Sequence, residues 1–474
     1  MNAGLPKKKK KKKDALNLAV IARYFCSIGI FITGMLLVKE GATLPAFIVF
    51  LCLMVLQVVQ RYAESHRFSD LRILVTVSWI GGITLSILRL SEWQTEWSNT
   101  MWACCALFYF LFQAGYDLRM YFYRIRHDEN VVTLDTGKAA YEKRLFQAVL
   151  ILTVVCLLAF LLEGVLLEFR YPLLVKNTPH AYTDFKVTGV HYFTVSSVLV
   201  HPLSVIYLFR TEEPKKKKIL IIFLNVLALA VPVLLLSKYL VFVAILYTIL
   251  AFFCVKKLPA KTVVLITAGA LIAAAAAFAL VVSMRHYPEG HLQSVFRFRN
   301  HETPVAIQYP YIYITINFEN LNRQIARLQH FSYGLRSALP FFALTGMKKF
   351  VPAVTEAFNA LERYAAFWQL PTETLLYDVY SDFYLYGVAV FSVLLGLASA
   401  WVTHIMEKRQ KVLGIMLYVQ FAGYLLLSFF STWFSNATTW FYFVATFAIA
   451  FFCTGEEKGF FRFHIRELTG EMKS

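Results

Sequence analysis

Twelve apolar stretches recur along this 474-residue chain, at approximately 15–38, 44–60, 71–90, 100–118, 145–168, 187–209, 218–236, 239–255, 262–284, 379–403, 411–430 and 437–454. Crossing a bilayer takes about 20 apolar residues, and in lipid a segment must satisfy its own backbone hydrogen bonds, which a helix does. With 58% hydrophobic and only 16% charged residues, the chain cannot keep this surface from water as an ordinary globule. The expected class is therefore an all-α polytopic membrane protein with about twelve transmembrane helices.

Charge distribution decides what the formal net charge of +18 means. The lysine clusters sit in short segments between apolar runs, which is the pattern of topology determinants and argues against nucleic acid as a partner. Residues 7–13 are an unbroken lysine run before the first apolar stretch. That stretch is too long for a signal-peptide core and no small-x-small site follows it, so it reads as an uncleaved span with the N-terminus inside. Alternate threading then puts 61–70, 117–144, 210–218, 256–261, 404–411 and the C-terminal tail inside. It puts 39–43, 91–99, 170–185, 237–238, 285–378 and 431–436 outside, so both termini are expected to be cytoplasmic. The expected organisation is a basic tail (1–14), nine spans (15–284), an extracytoplasmic loop (285–378), three spans (379–454) and a second tail (455–474). The seven cysteines, Cys26, Cys52, Cys104, Cys105, Cys156, Cys254 and Cys453, all lie in or at the ends of apolar runs, where they read as small core hydrophobes.

The loop at 285–378 is where chemistry is expected. Loops of this length are functional or disordered, and this one is too apolar and aromatic for disorder. It carries nine Arg/Lys against six Glu before Asp378. The spacing predicts a helix capped by Asn317 or Asn320, running to about His330 and ended by Tyr333-Gly334. A second helix is predicted over 352–368, with Pro352 at its start. His286, His291, His301 and His330 lack ligand spacing, and no DxD or HExxH is present, so no metal is expected from them. His191 and His201, ten residues apart in the sixth span, do not share a helix face. Arginine offers a planar fork of donors suited to phosphate and diphosphate oxygens. Pairing with Glu289, Glu302, Glu319, Glu356 and Glu362 is the alternative use of these arginines. Aromatics interleaved with carboxylates and asparagines suit sugar rings, and an interfacial aromatic belt is the competing explanation. Ser237-Lys238 divides two spans as a tight hairpin tip, with Pro232 in its first arm; Lys238 either snorkels to headgroups or faces a lipid diphosphate.

The segments YPYIYITINFENL at 309–321, YGL at 333–335 and YSDFYLYGVAVFSVLLG at 380–396 resemble the bacterial oligosaccharide repeat-unit polymerases, the Wzy-type O-antigen or exopolysaccharide polymerases. The resemblance covers about 215–400. It implies a GT-C-like architecture in the bacterial cytoplasmic membrane and undecaprenyl-diphosphate-linked oligosaccharides as substrates. Membrane lipids and a chain-length regulator are the implied partners, and no cofactor is expected. Lys238, Arg285, Arg297, Arg299, Arg323 and Arg336 are then the diphosphate-binding candidates. Glu319, Asp378 and Asp382 are candidates to activate or orient the acceptor hydroxyl, and Tyr311, Asn317, Asn320 and Tyr333 to shape the sugar pocket. Two departures stand out: Ser237-Lys238 replaces the family's Ser-Arg pair, and Asp382-Phe383-Tyr384 replaces its Asp-Phe-Gly run. A lipid-linked oligosaccharide flippase or other transporter, and a polysaccharide ligase, remain the alternatives. The sequence shows neither an internal repeat nor a ladder of intramembrane charges, as a transporter more often does.

Overall fold

A computed structural model describes residues 6–126, 138–175, 184–256, parts of 258–272, 291–361, 364–366, 370–409 and 411–454. The regular secondary structure of the described residues is helical, apart from an isolated antiparallel bridge between Ser91 and Phe298. Among the described residues eight helices are long and apolar enough to cross a membrane, and the chain is an all-α polytopic membrane protein. Of the other four expected spans, two are short helices, Leu71–Ser86 and Val412–Leu426. At 1.5 Å per residue these reach about 22–24 Å, less than the roughly 30 Å hydrocarbon core. A third, Asn99–Arg126, has 28 residues but is not among the eight. The fourth, 262–284, falls mostly outside the described residues.

The chain divides into two compact units. The first comprises 1–128, 287–404 and 421–439. It contains α1 (Pro6–Lys39), α2 (Thr43–Ser65), α3 (Leu71–Ser86) and α4 (Asn99–Arg126). The second comprises 129–286, 405–420 and 440–474. It contains α5 (Lys138–Leu166), α6 (Val190–Arg210), α7 (Lys215–Leu234) and α8 (Lys238–Val255).

The remaining helices of the first unit are α9 (His291–Phe296), α10 (Val305–Arg327), α11 (Leu335–Leu344), α12 (Met347–Phe350) and α13 (Pro352–Asn359). The long α14 (Tyr377–Arg409) follows them. After it come α15 (Val412–Leu426) and α16 (Ala437–Thr454), the latter mostly in the second unit.

Close backbone approach holds the first unit together. A Cβ on Gly396 of α14 would lie 2.3 Å from the Phe112 carbonyl oxygen, and one on Gly115 of α4 would lie 2.6 Å from that of Val393. Only glycine permits this crossing, the small-residue packing usual in membrane bundles. In α3, Gly82 leaves room for the Phe318 ring of α10, which also meets Trp79 edge-on at 5.3 Å. The π-helical turn Thr76–Ile80 lies just before that contact, and Ser78 and Trp79 both bond the Ser428 hydroxyl, at 2.9 and 2.7 Å.

At one end of α1–α4 a partly buried ion network forms. Arg72 pairs with Asp70, Asp117 and Glu64 at 2.9, 2.8 and 2.9 Å. Arg61 reaches Asp117 at 2.9 Å and Glu64 at 3.1 Å, Arg23 joins Glu64, and Tyr24 donates to Asp117 at 2.8 Å. Lys39 and Asn99, from the other ends of α1 and α4, bond each other.

The loop helices differ from the expected ones. Asn317 and Asn320 do not cap a helix; they lie in the middle of α10, which starts twelve residues before Asn317 and ends at Arg327. Pro310 falls in its second turn, and packing against α3 outweighs the poor helix preference of this tyrosine- and isoleucine-rich segment. Gly334, at φ 90°, opens α11 instead of ending a helix. The second predicted helix does begin at Pro352, with proline in the first turn, but stops at Asn359.

Candidate functional site

The helix α10 is the rod on which the loop is assembled. Near Tyr311, the 87–98 connection between α3 and α4 is sewn to the segment after α9. Arg299 N donates to Leu90 O and Glu92 N to Arg297 O, both at 2.9 Å, and Ser91 Oγ donates to Phe296 O at 2.7 Å. The Tyr311 hydroxyl accepts from Leu90 N at 3.0 Å and donates to Gln94 Oε1 at 2.8 Å; burial raises its pKa. Arg89, Arg297 and Arg299 are thereby held on one edge. Arg299 Nε donates to Arg89 O at 2.9 Å, Arg297 lies 4.7 Å over the Trp93 ring, and Arg89 meets Glu96 at 3.1 Å. Arg297 and Arg299 are exposed. Arg89 and Arg297 adopt φ of 47° and 44°, a left-handed conformation that costs an L-residue about 1 kcal/mol or more.

Two turns further along α10, Glu319 is buried. It accepts from Thr95 N at 3.1 Å, Thr95 Oγ1 at 2.7 Å and Arg323 Nε at 3.2 Å. Burial pushes its carboxyl above the usual glutamate range, against the pull of those donors. Arg323 also donates to Trp93 O at 3.0 Å and Ala366 O at 3.4 Å. Asn320 Nδ2 donates to Leu370 O and Thr372 O, and its Oδ1 accepts from Ala366 N. Glu319, Asn320 and Arg323 thus fasten residues 93 and 95, and Ala366, Leu370 and Thr372, to α10. Asn317 donates to Tyr313 O in its own helix, and its buried Oδ1 has no partner among the described residues.

Near the end of α10, Gln324 Nε2 donates to Tyr377 O at 3.1 Å and also bonds the Ser381 hydroxyl, placing the start of α14 beside it. Asp382, fully buried, accepts from Ser332 Oγ at 2.5 Å, Arg336 N at 3.1 Å and Ser337 N at 2.8 Å. The last two are first-turn amides of α11, so a carboxylate from another helix supplies its cap. Arg336 faces Asp378 across 3.6 Å, both almost wholly buried, and its guanidinium lies 5.9 Å from the Tyr377 ring centre.

No family model, curated protein or solved structure matches this chain. The functional reading therefore rests on this chemistry and on the motif resemblance.

The candidate residues fall into groups along α10. Arg297, Arg299 and Tyr311 gather near its start, Glu319, Asn320 and Arg323 at its middle, and Arg336, Asp378 and Asp382 near its end. Tyr333 stands apart, 80% exposed at φ 46°. Lys238 belongs to the second unit, where it opens α8 behind the Ser237 cap; Arg285 lies outside the described residues. Arg89 and Thr95 are additions that sequence reasoning did not single out, because a short inter-span connection gives no hint of its long-range partners. In the second unit, fully buried Glu163 bonds His191 Nδ1 at 3.1 Å and Val187 N at 3.0 Å, another pairing that spacing alone does not reveal. Among the described residues no three His, Cys, Asp or Glu side chains come together as metal ligands.

Proposed function

We propose that this protein polymerises undecaprenyl-diphosphate-linked oligosaccharide repeat units at the extracytoplasmic face of the bacterial cytoplasmic membrane, transferring the growing chain onto a fresh lipid-linked unit. The observation that carries this reading is that two cationic positions, contributed by neighbouring segments, lie beside two points along one helix, α10. Arg89, Arg297 and Arg299 gather beside Tyr311, and Arg336 lies beside Asp378 near Gln324. Thirteen residues of α10 separate Tyr311 from Gln324, about 20 Å at 1.5 Å per residue. A polymerase handles two lipid diphosphates in each cycle, and two separated guanidinium positions suit a donor and an acceptor. The twelve-span, GT-C-like arrangement with cytoplasmic termini belongs to the same reading.

In the reaction, the acceptor hydroxyl oxygen attacks the anomeric carbon of the donor sugar, and the bond from that carbon to the diphosphate oxygen breaks. Negative charge grows on the leaving diphosphate, so guanidinium groups already in place lower the barrier. The hydroxyl proton goes to a carboxylate. We assign that role to Asp378, because it lies 3.6 Å from Arg336, the guanidinium assigned to the leaving diphosphate. Arg323 and Asn320 become positioning residues through the bonds that fasten the loop to α10. Lys238 and Arg285 keep a diphosphate role through the resemblance alone.

The test is to incubate the purified protein in liposomes with a lipid-diphosphate-linked repeat unit and resolve the products by size. A ladder spaced by one repeat unit is expected, falling by about 10²–10³ in rate in Arg336→Ala and also reduced in Arg299→Ala. Transbilayer movement of the intact lipid with no ladder would overturn the enzyme reading in favour of a flippase.

A further inference from the structure

The helices α11 and α12 distribute their side chains in the reverse of a water-facing element. Arg336 is 4% exposed and packs inward with Asp378, and Pro340 is buried on the same side. The outward side carries Phe341, Leu344, Met347, Phe350 and Val351, with Phe341 61% and Phe350 77% exposed. A helix in water turns its apolar stripe to the core and its charges outward. Here a charge is inside and the large apolar groups are outside.

This apolar face continues a lipid-facing one. Along the membrane-spanning α14, Tyr386, Val390 and Leu394 are exposed at four-residue spacings, forming one stripe, and Phe383 is exposed at the break just before it. The start of α11 is locked to the top of that stripe. Ser332 N donates to Ser381 O at 3.0 Å, Asp382 caps α11, and the Phe331 and Tyr384 rings lie 5.9 Å apart. A Cβ on Gly334 would come within 3.1 Å of the Phe383 ring. Lys349 is exposed next to Phe350, and Lys348 lies 5.2 Å over the Phe358 ring.

We propose that α11 and α12 form an interfacial anchor that lies in the bilayer surface at the loop end of α14. Phe341, Leu344, Met347 and Phe350 enter the boundary between headgroups and acyl chains, and Lys348 and Lys349 face lipid phosphates. Interfacial elements combine an apolar face with basic residues in this way, and an aromatic group such as Tyr384 and Tyr386 marks the same depth on a span. The anchor keeps the Arg336–Asp378 pair at the membrane surface, where the headgroup of any lipid-borne substrate lies. The inference concerns the lipid contact and holds whatever reaction the site performs.

The experiment places a spin label at Phe341→Cys and, separately, at Phe350→Cys, with the signal of the unsubstituted chain subtracted for the native cysteines. The full-length protein is reconstituted in liposomes of phosphatidylcholine and phosphatidylglycerol. Collision with oxygen, which enriches in lipid, is compared with collision with a water-soluble nickel chelate. Both positions are exposed, so labelling leaves the core intact, and Glu96→Cys on an exposed part of the 87–98 connection is the aqueous control. The oxygen-to-chelate ratio at 341 and 350 is expected to exceed that at 96 by roughly threefold or more. A ratio equal to the control would put this face in water and overturn the proposal. Exclusion of both probes that relaxes as the protein is diluted in lipid would assign the face to a second copy, which also overturns it.

Discussion

The clearest departure from local backbone preference is Tyr384. Its φ of 56° and ψ of −150° lie in a region that only glycine visits freely, and with Phe383 it interrupts α14. By the motif resemblance, the glycine of an Asp-Phe-Gly run would be expected at this position. The sequence showed the departure, but the strain it implies needed the backbone. Such a conformation costs about 1–3 kcal/mol, and a glycine there gives back part of that as unfolded-state entropy. Tyr384→Gly is therefore expected to raise the thermal midpoint in detergent, with a net gain of about 1 kcal/mol; a lower midpoint would mean that contacts with Tyr380 and Phe331 outweigh the strain. Glu319 supports a second residue-scale prediction. Its carboxyl is raised above the ordinary 4.5 by burial, so the folded state holds this proton more tightly than the unfolded state does. The resulting stabilisation is present in full below 4.5 and is lost as pH rises through the raised value. Glu319→Gln abolishes this term, and melting curves across that range should show a smaller decline with pH than the parent. An identical slope in the variant would remove Glu319 as its source.

Whole elements were legible where one face or one cap determines them. The apolar runs announced the long helices, Pro352 the start of α13, and the Ser237-Lys238 break the end of one arm, with Ser237 Oγ accepting from Leu240 N at 3.3 Å. The helix α10 was misread because its sequence places Pro310, β-branched residues and tyrosines where a helix needs tertiary support, and that support comes from α3, more than two hundred residues earlier. Glycine spacing likewise says nothing about partners: Gly115 and Gly396 matter because their helices cross there, whereas a Cβ on Gly29 would meet nothing within 4 Å. Gly396→Ala must push the Phe112 carbonyl aside and should destabilise by about 2 kcal/mol. Gly29→Ala is the internal control, expected to be neutral or slightly stabilising in the same unfolding assay because alanine is the better helix former. Equal melting of the two variants would show that the α4–α14 crossing has slack.

At the scale of the molecule, alternate threading expects the polar ends of the first helices to fall into two sets. It assigns 61–70 and 117 to one side of the membrane and 39–43 and 91–99 to the other. Arg61, Glu64, Asp70, Arg72 and Asp117 do meet at one end of the helices, and Lys39 meets Asn99 at the other. The site was legible as a loop rich in arginine and aromatics. Its division into groups along α10 was not, because that depends on which backbone carbonyls each arginine finds. The six ionised groups at the first end, Arg23, Arg61, Arg72, Glu64, Asp70 and Asp117, balance in charge. In a network that is only partly buried, desolvation still offsets part of the attraction, and removing one member leaves its partners uncompensated at a cost of about 1–3 kcal/mol, below that of a fully buried pair. Asp117 contacts both Arg61 and Arg72, so Asp117→Asn should lower the unfolding free energy by that order. Removing the cation as well should recover part of the loss: Arg61→Met combined with Asp117→Asn is expected to melt higher than Asp117→Asn alone. The sign of that coupling separates an electrostatic network from simple packing. Strictly additive losses in the double variant would mean that Asp117 acts through its shape and its bond from Tyr24, and the charge balance would then carry no weight in holding the first four helices together.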